Sequence, residues 1–383
     1  MQKKYFLIIL LIVVSGNPIL TSQSWSKTMV VVVGFFLLWF LRSDIKSDFM
    51  RKYIIYISLF LFIYFVQYVN LSFVSVPFIF GFCIKVFIGG IIFQVLKDQF
   101  SKYFFNVIFY ICLGSIPFFF VHRLLGNSGL PQFFVLNECR SIGIYTFLEE
   151  RGVHYIRNSG MFWEPGAFQG FINICLFMNL RRIPYLLKYE RLKLVTVIIT
   201  LLTTQSTTGY ITFFVICFIY LLSYVKINKI SLTIFMLLFL FIGYYAFVQY
   251  GFLEEKLQQQ YENTLLKDKN EFSPDRFGAF VFDMHYIKKN PLTGNGFHEK
   301  TRYSDHPYLQ NQKLGHGNGF SNFLACAGIL GMFWYLYMII RFQRKPDSLF
   351  LCLIVVVLLQ GEQFLNYSFW LGLPFYRSYL YKS

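Results

Sequence analysis

Residues 71–93 read LSFVSVPFIFGFCIKVFIGGIIF, and this stretch decides the class of the protein. Lys85 is its only charged residue, and a helix of this length covers the roughly 30 Å hydrocarbon core of a bilayer. Ten similar apolar stretches surround it: residues 5–20, 28–41, 53–69, 103–124, 162–180, 192–206, 208–225, 230–250, 319–340 and 348–370. The sequence therefore predicts an all-α polytopic integral membrane protein with about 11 transmembrane helices, in the range 10–12.

Lysine and arginine alternate between the connections of these stretches. If the N terminus is inside, the inward connections hold seventeen of them: Lys3, Lys4, Arg42, Lys46, Arg51, Lys52, Lys97, Lys102, Arg181, Arg182, Lys188, Arg191, Lys226, Lys229, Arg341, Arg344 and Lys345. The short outward connections hold only Lys27. Positive residues accumulate on the cytoplasmic side, so the N terminus is predicted to be cytoplasmic. The side of the C terminus stays open, because Gly361 and Glu362 interrupt the last stretch.

The same alternation divides the chain into five parts. Residues 1–124 hold the first five helices, and residues 125–161 form a first long outward loop. Helices six to nine occupy residues 162–250, a second long outward loop follows at 251–318, and residues 319–383 hold the C-terminal helices and tail. The two loops are the places with enough polar residues for chemistry.

Composition excludes several classes of function. Hydrophobic residues make up 56% of the chain and charged residues 14%, which is not the balance of a soluble domain. The net charge of +16 is explained by inward Lys and Arg that meet anionic lipids, so nucleic acid is not an expected partner. No metal-binding pattern and no phosphate-binding glycine loop occurs. We therefore predict no metal and no cofactor, and the substrate must bring the energy of its reaction.

The two outward loops carry distinctive motifs. The first contains Arg151 and ends in RNSGMFWEPG, residues 157–166, which leads directly into a span. In the second, Ser273 and a following proline predict a helix start, and Asn290 before a proline predicts its end. A turn of sequence PLTGNG, residues 291–296, comes next, so this loop is predicted to be partly helical.

A further motif, HGNG at residues 316–319, opens the span that carries Gly328 and Gly331. With the P-x-x-G-x-G turn and the outer-loop arginine before it, this pattern resembles the O-antigen polymerase and ligase superfamily. The segment from Arg157 resembles the R-x-x-G-x-[FW]-x-E-P entry to a span in polymerases. In the ligases the histidine and asparagine are adjacent, whereas Gly317 separates them here, which favours a polymerase.

The resemblance implies a multi-span glycosyltransferase of the lipid-donor (GT-C-like) type in the bacterial inner membrane. Such an enzyme polymerises undecaprenyl-pyrophosphate-linked oligosaccharide repeat units at the periplasmic face into O-antigen, capsule or a related polysaccharide. Membrane lipids, a chain-length regulator and a flippase of the same pathway are the partners it implies. The sugars, their linkage and the oligomeric state are left open.

Residue roles follow from the chemistry of a pyrophosphate leaving group. Arginine binds phosphate oxygens bidentately and stays charged, so Arg157 and Arg276 are predicted to hold the pyrophosphate. Further candidate ligands are Arg302, Arg151 and Asn318, while the candidate catalytic residues are His316, Glu164 and Arg276. Four of these residues have a structural alternative. Arg157 could pair with Glu164, and Arg276 could pair with Asp275 or Asp283. His316 could be a surface residue, and Glu164 could be a helix N-terminal charge.

Three other functions compete with a polymerase. A ligase that transfers finished polymer to the lipid A core shares the mechanism and differs in the acceptor. A flippase for lipid-linked sugar would place ionisable groups near the bilayer midplane and show repeated halves, which this sequence lacks. A scaffold would leave the loop arginines and histidine unexplained.

Overall fold

The computed structural model describes residues 2–21, 26–126, 134–136, 139–148, 156–225, 276–302, 317–343 and 347–376. Most of these residues are helical, and three short strands lie in the first long loop. The predicted span at 230–250 and the predicted helix start at Ser273 lie outside the described residues.

The described residues of the first half form six α-helices. They are α1 (Gln2–Gly16), α2 (Pro18–Thr21), α3 (Ser26–Phe40), α4 (Ser47–Leu71), α5 (Val76–Leu96) and α6 (Phe100–Leu125), with a 3-10 turn at Lys97–Gln99 between the last two. A small antiparallel sheet follows, ordered β1 (Phe134–Leu136), β2 (Cys139–Ser141) and β3 (Thr146–Leu148).

The second half adds nine helices within the described ranges. They are α7 (Pro165–Met178), α8 (Ile183–Tyr189), α9 (Arg191–Thr203), α10 (Thr207–Tyr224), α11 (Arg276–Lys289), α12 (Glu299–Arg302), α13 (Gly319–Gln343), α14 (Asp347–Leu359) and α15 (Ser368–Gly372). The end of α11 confirms the stop that was predicted at Asn290.

Four helical stretches of the described residues are long and apolar enough to cross a membrane. They are Ser47–Leu71, Val76–Leu125, Thr207–Tyr224 and Gly319–Gln343, and the second of them joins α5 and α6. Shorter apolar helices occur at Thr28–Phe40, Pro165–Met178 and Asp347–Leu359. The prediction of a mainly helical membrane protein is confirmed, whereas the number of spans stays a prediction.

The connections of the N-terminal half that are predicted to face inward lie together at one end of the helices. Lys3 at the start of α1 forms an ion pair of 2.9 Å with Asp44, which lies between α3 and α4. Lys4 donates a hydrogen bond to Gln99 in the turn between α5 and α6. These contacts agree with the charge alternation, because they bring three positively charged segments to the same end.

The predicted last span, residues 348–370, is not one helix. The helix α14 ends at Leu359, and the chain continues through short helical pieces at Phe364–Asn366, Ser368–Gly372 and Leu373–Phe375. The last piece reaches the end of the bundle that holds the positively charged segments of Lys3, Lys4 and the α3–α4 connection, here called the charge-rich end. There the Phe375 ring lies 5.4 Å from that of Phe49 near the start of α4. The polar sequence Gln360–Gln363 with Gly361 ends the helix, since glycine disfavours a helix interior.

The core of the bundle is aromatic and joins distant parts of the chain. The ring of Phe369 on α15 lies 5.6 Å from Phe93, 5.2 Å from Phe104 and 5.0 Å from Phe171, on α5, α6 and α7 respectively. Ring pairs at such distances stabilise the fold beyond the contribution of the apolar area that they bury. This packing fixes α7 and the final segment relative to each other.

The P-x-x-G-x-G turn docks into a break in α13. The amide of Gly296 donates to Cys326 O at 2.9 Å, and that of Ile329 donates to Pro291 O at 2.9 Å. The break is at Gly328, whose φ of 70° leaves the helical region. Gly294 also has a positive φ and contacts the backbone of Cys326. The glycine spacing in the sequence is therefore the spacing of a backbone-to-backbone docking site.

We expect Gly328→Ala to destabilise the protein by about 3 kcal/mol or more, since it adds strain at a positive φ and overlap in a packed core. A Cβ at this position would overlap the carbonyl group of Leu292. Gly114→Ala on α6 is the matched control, because its Cβ would meet nothing within 4 Å. Thermal unfolding in detergent should show a large fall in the midpoint temperature for Gly328→Ala and none for Gly114→Ala. Equal midpoints for the two variants would contradict the docking interpretation.

Candidate functional site

Three helix N termini meet around one turn, residues 360–363, at the end opposite the charge-rich end. A Cβ added at Gly166 on α7 or at Gly319 on α13 would overlap Glu362. A Cβ at Gly361 would lie 3.1 Å from Thr208 Oγ1 on α10. Free backbone N–H groups and a partial positive charge make helix N termini favourable places for anions. The three helix N termini therefore give this end of the bundle a positive electrostatic potential from the backbone.

Arg276 is the first residue of α11 and extends over the N terminus of α10. Its Nη1 donates a hydrogen bond of 2.9 Å to Thr208 Oγ1, and its Cγ lies 3.2 Å from where a Cβ of Gly317 would be. The predicted alternative, an ion pair with Asp283, is wrong, because Asp283 pairs with Arg302 instead. Asp275 lies outside the described residues. A half-buried arginine thus stands beside the three helix N termini.

Two carboxyl groups share one indole N–H, and the charge of Arg276 acts on one of them, Glu362. The indole Nε1 of Trp163 donates to Glu164 Oε1 at 3.2 Å and to Glu362 Oε2 at 3.3 Å. Glu164 precedes α7 with extended backbone, and its side chain accepts no capping hydrogen bond. The Glu164 carboxylate therefore contacts Trp163, beside Glu362, instead of the helix that it precedes.

The environment of Glu362 favours its protonated form. Glu362 lies in the turn beyond the end of α14, and only 5% of it is exposed. Burial raises its pKa well above the ordinary value, and the neighbouring Glu164 carboxyl raises the pKa further. Arg276 and the Trp163 N–H act in the opposite direction and are weaker. Burial and the neighbouring carboxyl thus both favour the neutral form of Glu362.

Arg157 lies at the other side of the turn between α9 and α10. Its Nε donates to Thr204 O at 3.1 Å, and the neighbouring Asn158 donates to Thr203 Oγ1 at 3.0 Å. Arg157 and Arg276 therefore contact the same short turn, from Thr204 and from Thr208.

Arg302 is buried within the protein. Only 4% of it is exposed, and its Nη2 forms a 2.8 Å ion pair with Asp283, which is fully buried. Its Nη1 donates to Asn322 and Cys326 on α13, and Ser321 Oγ donates to Asp283 at 2.7 Å. Burial raises the pKa of Asp283 to about 6 despite the arginine. The network joins α11, α12 and α13 and leaves Arg302 committed to protein groups.

Asn318 has a capping role that the sequence motif did not reveal. Its Oδ1 accepts hydrogen bonds of 3.1 Å from the amides of Phe320 and Ser321, so it caps the N terminus of α13. Its Nδ2 lies 3.4 Å from Gln360 Oε1 at the start of the turn. The asparagine thus fixes the helix N terminus beside Glu362, and a direct contact with pyrophosphate stays a prediction.

Other predicted site residues lie outside the described part of the chain, namely His316 and Arg151. Sequence reasoning did not include Thr208, Trp163 and Glu362 among the site residues. The interruption of the last apolar stretch at Glu362 was the signal for one of them. Within the described ranges, no group of three or more His, Cys, Asp or Glu side chains is placed to hold a metal ion.

A family model described as O-antigen ligase matches residues 192–336. The resemblance to the O-antigen polymerase and ligase superfamily is confirmed. The match covers well under half of the 383 residues and runs from α9 to α13, so it includes Arg276, His316 and Asn318. Arg157, Glu164 and Glu362 fall outside it. No curated protein matches the chain significantly.

Proposed function

We propose that the protein is a polysaccharide polymerase of this superfamily, which joins repeat units carried on undecaprenyl pyrophosphate. A hydroxyl of the acceptor glycan attacks the anomeric carbon of the donor. A glycosidic C–O bond forms, the C–O bond to the pyrophosphate breaks, and the lipid pyrophosphate leaves with the electron pair. The hydroxyl proton passes to a base of the protein.

The observation that carries this proposal is the grouping of Arg276 and two carboxyl groups at three helix N termini. A pyrophosphate leaving group gains negative charge as its bond to the sugar breaks. Fixed cations and oriented N–H groups stabilise that charge without reorganising, which is usually the largest catalytic contribution. Arg276 and Arg157, on either side of the α9–α10 turn, supply the cations in this proposal.

Glu164 is the base in this proposal. It is half-buried, it shares the indole N–H of Trp163 with Glu362, and its carboxylate is not used as a helix cap. A base positioned on an acceptor hydroxyl contributes roughly two to four orders of magnitude in rate. His316 remains the second candidate base. Arg302 is left out of the binding site, because its guanidinium is held by Asp283, Asn322 and Cys326.

An aromatic surface beside the carboxyl groups suits a glycan substrate. The rings of Trp163 and Tyr367 stack at 4.6 Å with an angle of 29° between their planes, and Phe364 lies 6.5 Å from the same indole. Aromatic side chains with a polar tip combine an apolar face with a hydrogen-bonding group. In this proposal the stack forms part of the glycan path next to Glu164.

The ligase is the alternative that deserves a direct comparison, since it uses the same donor and the same family model describes it. Gly317 between His316 and Asn318 is the sequence feature that favours a polymerase. We further propose the periplasmic face of the inner membrane for the reaction, and a flippase and a chain-length regulator as pathway partners.

The test is reconstitution of the purified full chain in proteoliposomes with a lipid-pyrophosphate-linked repeat unit. We expect a ladder of lengthening lipid-linked glycan on a gel. A parallel sample with lipid A core and preformed lipid-linked polymer separates the functions. Transfer to the core without a ladder would assign a ligase. Movement of intact lipid-linked sugar across the bilayer without any new glycosidic bond would assign a transporter and overturn the proposal.

A further inference from the structure

We propose that Glu362 acts as a neutral carboxylic acid that donates a hydrogen bond to Glu164 and positions that carboxylate as the base. Glu362 is then a positioning residue, which holds its own proton through the reaction. This inference rests on the proposed function for its kinetic consequence. The state of Glu362 itself is a separate property that does not need turnover.

The two carboxyl groups converge on one hydrogen-bond donor, the indole N–H of Trp163. Two ionised carboxylates are acceptors only and repel each other, so a pair this close is stabilised when one member is protonated and donates to the other. The single N–H of Trp163 is divided between Glu164 Oε1 and Glu362 Oε2. The neutral indole therefore holds both carboxyl groups at one nitrogen, but it cannot neutralise a charge of the pair.

Burial decides which carboxyl keeps the proton. Glu362 is 5% exposed, its carbonyl group packs against Gly319 and its carboxyl against Gly166, while Glu164 is half-buried. The charged or titratable groups of the described residues that act on Glu362 are Glu164, Arg276 and the hydroxyl of Tyr367. Because a buried carboxyl without its own cation favours the neutral form, the proton belongs on Glu362.

Arg276 does not act as a dedicated counterion for the pair. Its Nη1 donates to Thr208, and the hydrogen bonds to the carboxyl groups come from Trp163. A single negative charge beside Arg276 leaves the cluster able to accept an anionic pyrophosphate, whereas two would repel it. A neutral Glu362 thus positions Glu164 as the base and also leaves the cluster able to bind an anion.

The proton balance is simple. The acceptor hydroxyl loses its proton to Glu164 as its oxygen bonds to the anomeric carbon, and the pyrophosphate leaves. Glu362 keeps its proton and its hydrogen bond throughout. When the pH rises far enough for Glu362 to ionise, the pair gains a second negative charge and the donated hydrogen bond is lost. Activity should therefore fall on the alkaline side of the pH profile.

The kinetic test compares Glu362→Gln with Glu164→Gln in the reconstituted glycan-transfer assay. A glutamine amide donates a hydrogen bond as a neutral acid does, but it cannot ionise. We expect Glu362→Gln to lower kcat at pH 7 by less than about tenfold and to remove the alkaline decline, while Glu164→Gln loses about a hundredfold or more. A loss in Glu362→Gln as large as that in Glu164→Gln, or an unchanged alkaline decline, would overturn the proposal.

A measurement without turnover keeps the inference separate from the proposed function. Infrared difference spectra of the full chain between neutral and alkaline pH report the C=O stretch of protonated carboxyl groups. We expect a signal at neutral pH in the native chain that is absent from the difference spectrum of Glu362→Gln. Absence of that difference in a folded protein overturns the proposal. A clear difference with no glycan transfer by the native chain would instead overturn the proposed function alone.

Discussion

Replacing Arg276 with alanine should lower the rate of glycan transfer by about a hundredfold or more, which is the usual effect of losing one preorganised charge-stabilising group. Arg276 is the described cation that contacts Thr208 at the N terminus of α10, next to the carboxyl pair. Arg276→Lys should recover only part of the rate, because an ammonium group lacks the planar fork of the guanidinium. The measurement is initial conversion of lipid-linked glycan by each variant.

Arg51→Ala is the matched control for this prediction. Arg51 lies at the charge-rich end, where it is exposed and pairs with Asp48, and such a surface pair contributes little. The Arg51→Ala substitution removes the same charge at the opposite end of the bundle. Equal rates for Arg276→Ala and Arg51→Ala, at equal thermal stability, would remove Arg276 from the site.

Arg302→Met should destabilise the protein by about 3–5 kcal/mol, because it leaves the buried carboxylate of Asp283 without its cation. The double variant Asp283→Asn with Arg302→Met removes both charges and should regain much of that loss. Thermal unfolding in detergent of the two single variants and the double variant gives the coupling directly.

The pH dependence of the Arg302→Met variant has a defined sign. Asp283 lies outside the membrane-spanning helices, and its pKa is already about 6, above its ordinary value. Removal of Arg302 takes away a cause that lowers this pKa, so the folded state binds the proton more tightly than the unfolded chain does. The variant should therefore gain stability as the pH falls toward about 6 and below. If Arg302→Met unfolds like the native chain but loses glycan transfer, the result contradicts the structural role and supports Arg302 as a pyrophosphate ligand.

Local patterns in the sequence were sufficient for part of the fold. Charge alternation placed Lys3 and Lys4 at the end where Asp44 and Gln99 lie. The asparagine–proline pair gave the end of α11, because a residue before proline avoids helical geometry. These features depend on neighbouring residues or on helix length alone, so a single sequence reveals them.

The site depends on contacts between distant residues, which a single sequence does not reveal. Glu164 and Glu362 are held by the same indole although one precedes α7 and the other follows α14. Arg302 belongs to a polar loop in the sequence and was therefore interpreted as a possible phosphate ligand. Its burial against α13 follows from the docking of the P-x-x-G-x-G turn at Gly328, which only the folded backbone shows.

Binding of undecaprenyl pyrophosphate to the purified chain in nanodiscs tests the central claim most directly, namely that the cluster at Arg276 holds a lipid pyrophosphate. Affinities of the native chain, Arg276→Gln and the control Arg51→Gln would be measured at fixed ionic strength. We predict that Arg276→Gln binds at least about tenfold more weakly, since a charge-assisted contact to phosphate contributes more than a neutral one. Arg51→Gln should bind as the native chain does. Equal affinity of all three proteins would contradict the account.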